Sequence, residues 1–363
     1  MKVFWNVASR KCVDDQVEIP LDEFRITHNK DKPDSYQITD PGERNPRLAW
    51  TAYEPRFDLG NVHDATCHYI HHFCSGINKE SMKWEDPKNI SLQAHLDAVA
   101  QLIQVDIPDP NFDGIAVIDL EAWRPLYHMN WDEKKVYKEQ SVQLVLQNQP
   151  YLSTEEAEAL AEQQFNRAAR DFFVQTLRVA RELRPRGLWG YYEYPFCNYD
   201  AGDQPGDYSC TTTAQQYNEQ LRYIYHASSA LFPSIYLHGT KTTEQNFRYV
   251  QAVLMEARRI AHQRGHRSHF FPYTKIEYDP EAEPTWFYSK DDLCNTVKQS
   301  ADLGASGVVV WSTSKNMSQR CAGIANYVRK VFGPCTSNMN TDDYMCRCHR
   351  QYQGPDCSIP NYR

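Results

Sequence analysis

The sequence predicts an α/β protein in which helices cover a parallel β-sheet. Short apolar or aromatic runs alternate with amphipathic helical stretches about seven times along the chain. Several runs, such as IAVI at 115–118 and GVVVW at 307–311, are apolar at consecutive positions, so both faces of these strands are expected to be buried. A closed barrel and a doubly wound sheet share this property, and 363 residues are enough for one α/β barrel with a small appendage.

The strands and helices follow from the periodicity of apolar residues. The predicted strands are FWNV (4–7), LAWTAY (48–53), IAVID (115–119), LWGYY (188–192), SIYLH (234–238), FFPYTKIEY (270–278) and GVVVW (307–311). The clearest predicted helices are 154–183, 213–231, 243–263 and 289–303. No GxGxxG or GxxxxGKS motif marks a nucleotide-binding open sheet. In a barrel, the C-terminal ends of the strands form the active-site face, and polar or aromatic residues occur there: Asp119, Glu121, Tyr191, Tyr192, Tyr236, Tyr278 and Trp311.

Two parts of the chain depart from this alternation. Residues 61–89 do not follow it and are interpreted as an insertion. Beyond Pro334 the periodicity stops, and four of the eleven cysteines fall in the last 29 residues. We therefore predict a barrel domain at 1–334 and a small disulfide-rich module at 335–363.

Composition excludes some classes of protein and favours one compartment. A net charge of −8 without a Lys/Arg stripe argues against nucleic-acid binding, and no run approaches 18 apolar residues, so no membrane span is expected. The first dozen residues lack the apolar core of a signal peptide, and we infer that any such peptide precedes this numbering. Eleven cysteines and sequons at Asn89 and Asn316 favour an oxidising compartment and a secreted glycoprotein, with both asparagines as expected glycosylation sites.

The segment FDGIAVIDLEAWR (112–124) contains two carboxylates that are separated by one residue. Side chains alternate along a strand, so Asp119 and Glu121 should point to the same side, with Cα atoms about 6 to 7 Å apart. Two carboxyl groups in one partly desolvated site repel each other's ionisation, which leaves a protonated acid beside an ionised base. Glycosidic bond cleavage needs this combination. A structural ion pair with Arg124 at the strand end is equally compatible with the spacing.

Long ordered blocks of the chain resemble the hyaluronidase family of glycoside hydrolases. The blocks are FWNV, NISLQAHL (89–96), FDGIAVIDLEAWRPL (112–126), NWDEKKVY (130–137), RPRGLWGYYEYPFCNYD (184–200), LFPSIY (231–236) and ASGVVVWS (305–312). The resemblance implies a distorted (β/α) TIM-like barrel. It also implies an enzyme, a hyaluronoglucosaminidase or endo-β-N-acetylhexosaminidase, which hydrolyses β-1,4 bonds between N-acetylhexosamine and glucuronate with retention of configuration.

The same resemblance implies roles for individual residues. Glu121 would be the proton donor, and Asp119 would hold and polarise the acetamido group of the substrate, whose oxygen acts as the nucleophile. Tyr192 and Tyr236 would line the acetamido pocket, with Trp311 as its floor. Three further residues are predicted on the substrate-binding side of the site: Arg124, which would orient the acids, Tyr53, and Tyr199.

The cysteines are expected to form five disulfides. The family resemblance implies Cys12–Cys321 and Cys197–Cys210. The tail CRCHRQYQGPDC follows the ending of an EGF-type module, which favours the pairs Cys335–Cys346 and Cys348–Cys357. Cys67 and Cys74 lie among four histidines and could hold zinc together with them, but in an oxidising compartment a local disulfide is the preferred interpretation. We expect no metal and no cofactor.

The sequence leaves open alternatives for the substrate and for catalytic activity itself. Leu120 stands where the family usually has an aromatic residue, and Glu193 stands where a glycine is familiar. Because of these two departures and the unusual 61–89 segment, chondroitin is an alternative to hyaluronan as the preferred substrate. A catalytically silent glycan-binding or adhesion protein is a further alternative, whereas a chitinase-like D-x-D-x-E motif is excluded by Val117. We expect a monomer, either secreted or lysosomal, that binds hyaluronan or chondroitin.

Overall fold

The computed structural model describes residues 1–28, 91–263 and 268–332, together with the backbone of short strands at 48–51, 352–353 and 359–360. The strands are β1 (Lys2–Val7), β2 (Leu48–Thr51), β3 (Ile115–Ile118), β4 (Leu188–Tyr191), β5 (Ala230–Leu231), β6 (His269–Phe270), β7 (Tyr273–Thr274), β8 (Gly307–Ser312), β9 (Tyr352–Gln353) and β10 (Ile359–Pro360).

The α-helices are α1 (Arg10–Asp14), α2 (Leu92–Asp106), α3 (Lys135–Asn148), α4 (Thr154–Leu183), α5 (Thr212–Gln220), α6 (Arg222–Ala227), α7 (Thr243–His262), α8 (Lys290–Leu293), α9 (Gln299–Asp302) and α10 (Met317–Tyr327). Short 3-10 helices cover Tyr127–Met129 and Asp132–Lys134, and π-helical turns cover Cys294–Lys298 and Val328–Phe332.

Parallel strands form the centre of the molecule. β2 pairs with β3 and β3 with β4, β5 pairs with β6, and β8 lies between β1 and β7. Single bridges link Tyr192 to Phe232 and Ser234 to Tyr273. These bridges join the groups into one series that runs from β2 through β4, β5 and β7 to β8 and β1. All of these pairings are parallel, as the predicted (β/α) barrel requires.

The strand predicted at 234–238 is wrong, because β5 ends at Leu231 and Ser234 makes only one bridge. Pro233 lies between them and has no N–H to donate to a ladder. Pro272 likewise interrupts the strand predicted over 270–278, which is divided into β6 and β7. Apolar periodicity does not register such interruptions, so the prediction ran through both prolines.

The most accurate helix prediction is that of α4, whose N-terminal cap is formed by residues next to it in sequence. The bounds 154–183 of α4 are confirmed, and a capping box starts the helix: Ser153 Oγ accepts from the Glu156 N–H at 3.3 Å, and the Glu156 carboxylate accepts from the Ser153 N–H at 2.9 Å. The helix predicted over 213–231 is instead two helices, α5 and α6, and the one over 289–303 is interrupted by a π-helical turn.

The core has two layers, as expected when both faces of the strands are buried. An inner cluster fills the space enclosed by the strands; it consists of Phe4, Ile115, Val117, Ala230, Phe232, Phe271, Tyr273 and Val309. A larger outer cluster packs the opposite strand faces against the helices and includes Ala116, Ile118, Phe173 and Leu177. Because Ile115 and Val117 belong to the inner cluster, the alternation along β3 directs the next odd residue, Asp119, toward the same interior.

Two predicted disulfides are present. Cys12 in α1 is bonded to Cys321 in α10, with Cα atoms 5.2 Å apart, and Cys197 is bonded to Cys210, with Cα atoms 5.3 Å apart. The first joins residues 309 positions apart and so ties the beginning of the barrel to its last helix. The predicted pairs Cys67–Cys74, Cys335–Cys346 and Cys348–Cys357 lie outside the described residues.

The domain division at 334/335 stays a prediction, since only the antiparallel pair of β9 and β10 is described in the tail. Within the described ranges, no helix is both long enough and apolar enough to cross a membrane. The same ranges contain no group of three or more His, Cys, Asp or Glu residues that could hold a metal ion. The histidines beside Cys67 and Cys74 are not among them.

Candidate active site

A cavity of about 260 Å³ opens where β3, β4 and β5 end. Its polar and aromatic lining includes Glu121, Tyr192, Glu193, Tyr199, Ser234, Tyr236, His238 and Lys241. The cavity thus gathers residues that follow three different strands, which is how active sites of parallel barrels are built. Four residues predicted for the site, namely Glu121, Tyr192, Tyr199 and Tyr236, lie together in this wall.

Asp119 directly follows β3 and precedes Glu121 by two positions. Its Oδ1 atom is buried, and no hydrogen-bond partner for this oxygen exists among the described residues. Burial, followed by the negative charges of Glu121 and Glu193, raises the pKa of Asp119 well above its usual range. A buried carboxyl beside two other carboxylates keeps its proton to a higher pH than a free one, which is compatible with the predicted acidic pair.

Replacement of Asp119 by asparagine is expected to stabilise the folded protein at neutral pH. Because folding raises the pKa of Asp119, the stability that comes from its protonated form is lost as the pH rises from 3.8 through the raised pKa. An amide removes this loss, so the variant should gain about 1 kcal/mol, or about 2 °C in Tm, at pH 7. Thermal unfolding at pH 4 and at pH 7 measures the effect.

The gain should be small at pH 4, where the wild-type carboxyl is already protonated in the folded state. Asp171→Asn, at an exposed position on α4, is the matched control and should leave Tm unchanged. A Tm for Asp119→Asn that is equal to or below that of the wild type at both pH values would contradict the expected desolvation of this carboxyl.

An aromatic wall faces the carboxylates. The ring centroids of Tyr192 and Tyr236 are 6.0 Å apart, and Tyr236 stacks on Trp311 with centroids 5.9 Å apart and an interplanar angle of 20°. The Tyr192 hydroxyl donates to Ser234 Oγ at 3.1 Å. Burial, followed by the charges of Glu121 and Glu193, raises the pKa of Tyr192, so its phenol stays protonated. Flat faces with a fixed hydroxyl are suited to the apolar face and polar rim of a sugar ring.

The loop after β3 is held by two residues for which the sequence predicted no role. Asn130 is fully buried; its Oδ1 accepts from the Arg124 N–H at 2.8 Å, and its Nδ2 donates to the Leu126 carbonyl at 2.9 Å. Lys134 Nζ donates to the backbone carbonyls of Glu121 and Ala122. Both residues belong to the block NWDEKKVY, which marked them only as part of the resemblance. They fix the backbone that carries the Glu121 carboxylate.

Arg124 is buried beside the cavity and contacts Glu193 and Tyr199. Its Nη2 donates to the Tyr199 hydroxyl at 3.0 Å and lies 3.9 Å from Glu193 Oε1, while Tyr199 donates to Glu193 Oε1 at 2.6 Å. Its guanidinium also lies 4.6 Å from the centroid of the Trp131 ring. Arg124 therefore holds Glu193 and Tyr199 in the cavity wall, and its predicted role in orienting Asp119 and Glu121 stays a prediction.

Glu193 has a backbone conformation that favours glycine, the residue expected at this position from the family resemblance. Its φ is +74°, in the left-handed region where a side chain is disfavoured and glycine is not. Such a conformation in a non-glycine residue costs on the order of 1 kcal/mol and often occurs at functional sites. Here the strained backbone directs an extra carboxylate into the cavity wall.

Other predicted residues are outside the cavity or outside the described ranges. Asn316 is exposed at the start of α10, where its Nδ2 donates to the Glu281 carbonyl at 3.3 Å, and its glycosylation stays a prediction. Tyr53 and Asn89 lie outside the described residues, so the roles assigned to them also stay predictions.

Comparisons with known proteins point to one family. The sequence model of a family described as hyaluronidase matches residues 75–358. A chondroitin hydrolase of Caenorhabditis elegans is 37% identical over 300 residues, covering 80% of this chain and 65% of that protein. Hyaluronidase-1 of Homo sapiens is 38% identical over 265 residues, covering 72% and 60%. A hyaluronidase of Crotalus adamanteus is 33% identical over 358 residues, covering 95% and 73%.

Solved structures give the same result. Bee venom hyaluronidase superposes with a TM-score of 0.76 at 26% identity, covering 93% of this chain and 99% of the bee protein. The same venom protein in complex with a hyaluronic acid tetramer gives a TM-score of 0.75 at 27% identity, covering 94% and 100%. The chain spans 65% and 60% of the length of the first two relatives.

Proposed function

The chain belongs to the hyaluronidase family, and from this premise we propose that it is an endo-acting glycosaminoglycan hydrolase. It would cleave the β-1,4 bond between N-acetylhexosamine and glucuronate with retention of configuration. The observation that carries the proposal is the buried Asp119 oxygen without a described partner, next to Glu121 in a cavity walled by tyrosines. A buried carboxylate oxygen needs a donor, and the N–H of an acetamido group is a donor of suitable chemistry.

The reaction proceeds in two steps that use both carboxyl groups. Glu121 gives its proton to the glycosidic oxygen while the acetamido oxygen of the substrate attacks C1, so that the C1–O bond to the leaving sugar breaks as a ring closes on the retained one. Asp119, accepting from the acetamido N–H, stabilises the positive charge that develops on this ring. Water then adds to C1, the ring opens, and Glu121 takes the proton from the water.

The raised pKa of Asp119 is compatible with Glu121 as the proton donor and Asp119 as the partner of the acetamido group. In the free protein, burial and the charges of Glu121 and Glu193 raise the pKa of Asp119 and so favour its protonated form. A substrate whose acetamido N–H hydrogen-bonds to ionised Asp119 favours the arrangement in which the proton resides on Glu121, where it is needed. The surrounding phenols of Tyr192 and Tyr236 have raised pKa values through burial and act as neutral donors.

Hyaluronan is the first candidate substrate and chondroitin the second. The bee venom relative is described in complex with a hyaluronic acid tetramer, whereas the relative from Caenorhabditis elegans is described as a chondroitin hydrolase. The two polymers differ at one hydroxyl of the hexosamine, and Glu193 adds a carboxylate to the wall that faces the sugar. One polar contact of this kind can decide such a preference.

Release of reducing ends from hyaluronan and from unsulfated chondroitin, across pH 3.5 to 7.5, tests the proposal. Cleavage of either polymer supports it, and the ratio of the two kcat/KM values gives the preferred substrate. A folded sample that cleaves neither polymer would instead support the silent glycan-binding protein. The two disulfides in the described ranges support a secreted or lysosomal setting, and a monomer is our working expectation.

A further inference from the structure

Lys275 follows β7 directly and lies against the aromatic wall of the cavity. Its Nζ is 4.7 Å from the centroid of the Tyr236 ring and 5.8 Å from that of the Trp311 ring. These two rings stack on each other, and Tyr236 lines the same cavity as Glu121. The ammonium group is therefore next to the surface on which the N-acetylhexosamine would rest.

The acidic side chains nearest in sequence to Lys275 have other partners. The Glu277 carboxylate accepts from Arg320 Nε and Nη2, and Glu281 Oε2 pairs with Lys315 Nζ at 2.8 Å. Asp279 Oδ1 accepts from the backbone N–H groups of Glu281 and Ala282 at 3.2 and 3.0 Å. No residue in the described ranges accepts a hydrogen bond from Lys275 Nζ or forms an ion pair with it.

Other cations around the cavity differ from Lys275 in this respect. Lys241 Nζ lies 2.5 Å from Asp203 Oδ1 and donates to the Tyr199 carbonyl, while Lys134 donates to backbone carbonyls. Arg124 contacts Glu193 and Tyr199. Among the described residues, Lys275 contacts only ring faces, which attract a cation but offer no acceptor to its three N–H donors.

The environment of Lys275 favours contact with an anion. The residue is half-buried, and burial lowers its pKa, partly offset by the charges of Asp279 and Glu277. A cation that is partly removed from water interacts more strongly with an anion than one on the open surface. In hyaluronan and chondroitin alike, every N-acetylhexosamine is followed by a uronate, whose carboxylate is such an anion.

We propose that Lys275 binds the uronate carboxylate of the polymer, adjacent to the hexosamine held by Tyr236 and Trp311. The inference rests on the proposed function for the identity of the ligand. Lys275 thereby becomes a specificity-determining residue that selects an acidic polysaccharide over a neutral one. It takes no part in bond cleavage.

A binding experiment separates this proposal from the question of hydrolysis. In a Glu121→Gln background, in which hydrolysis is expected to be about 10³-fold slower, the dissociation constant of hyaluronan hexasaccharide is measured by calorimetry. The same measurement uses the hexasaccharide with its carboxyl groups chemically reduced to hydroxymethyl groups. Lys275→Gln is expected to weaken binding of the native ligand about tenfold, equivalent to about 1.4 kcal/mol, and to leave binding of the reduced ligand unchanged.

Two further variants serve as controls. Lys275→Arg keeps the charge and should bind the native ligand within about threefold of the parent. Lys315→Gln removes a lysine that is 67% exposed and paired with Glu281, and it should change neither constant. If Lys275→Gln does not fold, the parent protein alone remains a test, because it should bind the reduced ligand about tenfold more weakly than the native one.

Equal weakening of both ligands by Lys275→Gln, or equal affinity of the parent for both, would overturn the proposal. An effect of Lys275→Gln seen only with chondroitin 4-sulfate would overturn it as well, since it would assign the lysine to a sulfate ester. A protein that binds hyaluronan through Lys275 but hydrolyses no polymer would retain this inference and refute the proposed activity.

Discussion

Substitution of Glu121 by glutamine is expected to lower the rate of hydrolysis of the preferred polymer by about 10³-fold, with the fold unchanged. Glutamine has nearly the shape of glutamate but no proton to give to the leaving oxygen. Because the side chain lines the cavity and is exposed, its replacement removes no buried contact of the core. The loss should appear in kcat, while KM stays within a few-fold of the wild-type value.

Reducing-end release by the purified variant and the wild type, at the pH of maximal activity, measures this effect. Glu133→Gln is the matched control, since Glu133 is an exposed glutamate in the neighbouring 3-10 helix and should be replaceable without loss. Activity of Glu121→Gln above a tenth of the wild-type value would show that the proton comes from elsewhere. Asp119, the other carboxyl of the pair, would then be the candidate donor.

Replacement of Arg320 by methionine is expected to lower the free energy of unfolding by about 3 to 5 kcal/mol. Arg320 and Glu277 are both fully buried, and the guanidinium donates to both carboxylate oxygens. It also donates to the carbonyls of Thr313 and Lys315, at 2.6 and 2.9 Å. Without the arginine, Glu277 would be a buried charge without a countercharge.

Urea unfolding compares the wild type with Arg320→Met and with the double variant Arg320→Met/Glu277→Leu. The double variant should recover most of the loss, because replacing a buried ion pair by apolar groups is often neutral. Lys315→Met, which removes an exposed pair with Glu281, should cost less than about 1 kcal/mol. A cost for Arg320→Met as small as that for Lys315→Met would contradict the role given to the buried pair.

This ion pair also bears on the site, because its two residues brace the ends of β7 and β8. Glu277 lies two residues beyond Lys275, and Ser312 Oγ, directly after Trp311, donates to the Glu277 carboxylate at 2.9 Å. The pair therefore sets the relative position of the lysine and the tryptophan. We expect a protein that loses the pair to show weakened ligand binding before it unfolds completely.

Local signals in the sequence predicted several elements of the fold accurately. Apolar periodicity predicted the bounds of α4, and consecutive apolar residues marked β3 and β8 as strands buried on both faces. The two-residue period of a strand predicted that Asp119 and Glu121 share one site, although β3 ends at Ile118, before both acids. The family resemblance supplied the disulfides Cys12–Cys321 and Cys197–Cys210, which no local pattern could have paired.

Other features of the site depend on neighbours that are distant along the chain. No periodicity distinguishes Lys275 from other lysines, since its environment is formed by rings from two other strand ends. The roles of Asn130 and Lys134 arise from backbone groups that are correctly placed only after the loop has folded. Burial and nearby charge likewise come from packing. The sequence predicted that one carboxyl of the pair has a raised pKa, and the tertiary structure identifies it as Asp119.

The residues alone therefore determined the class of fold and predicted an acidic pair with a chemistry to match, because both follow from the pattern of residues along single elements. Contacts between residues that are distant along the chain determined which carboxyl is desolvated and which lysine has no countercharge among the described residues. The physical reason is that propensity and periodicity act over a few residues, whereas desolvation and ion pairing depend on atoms that only the closed barrel brings together.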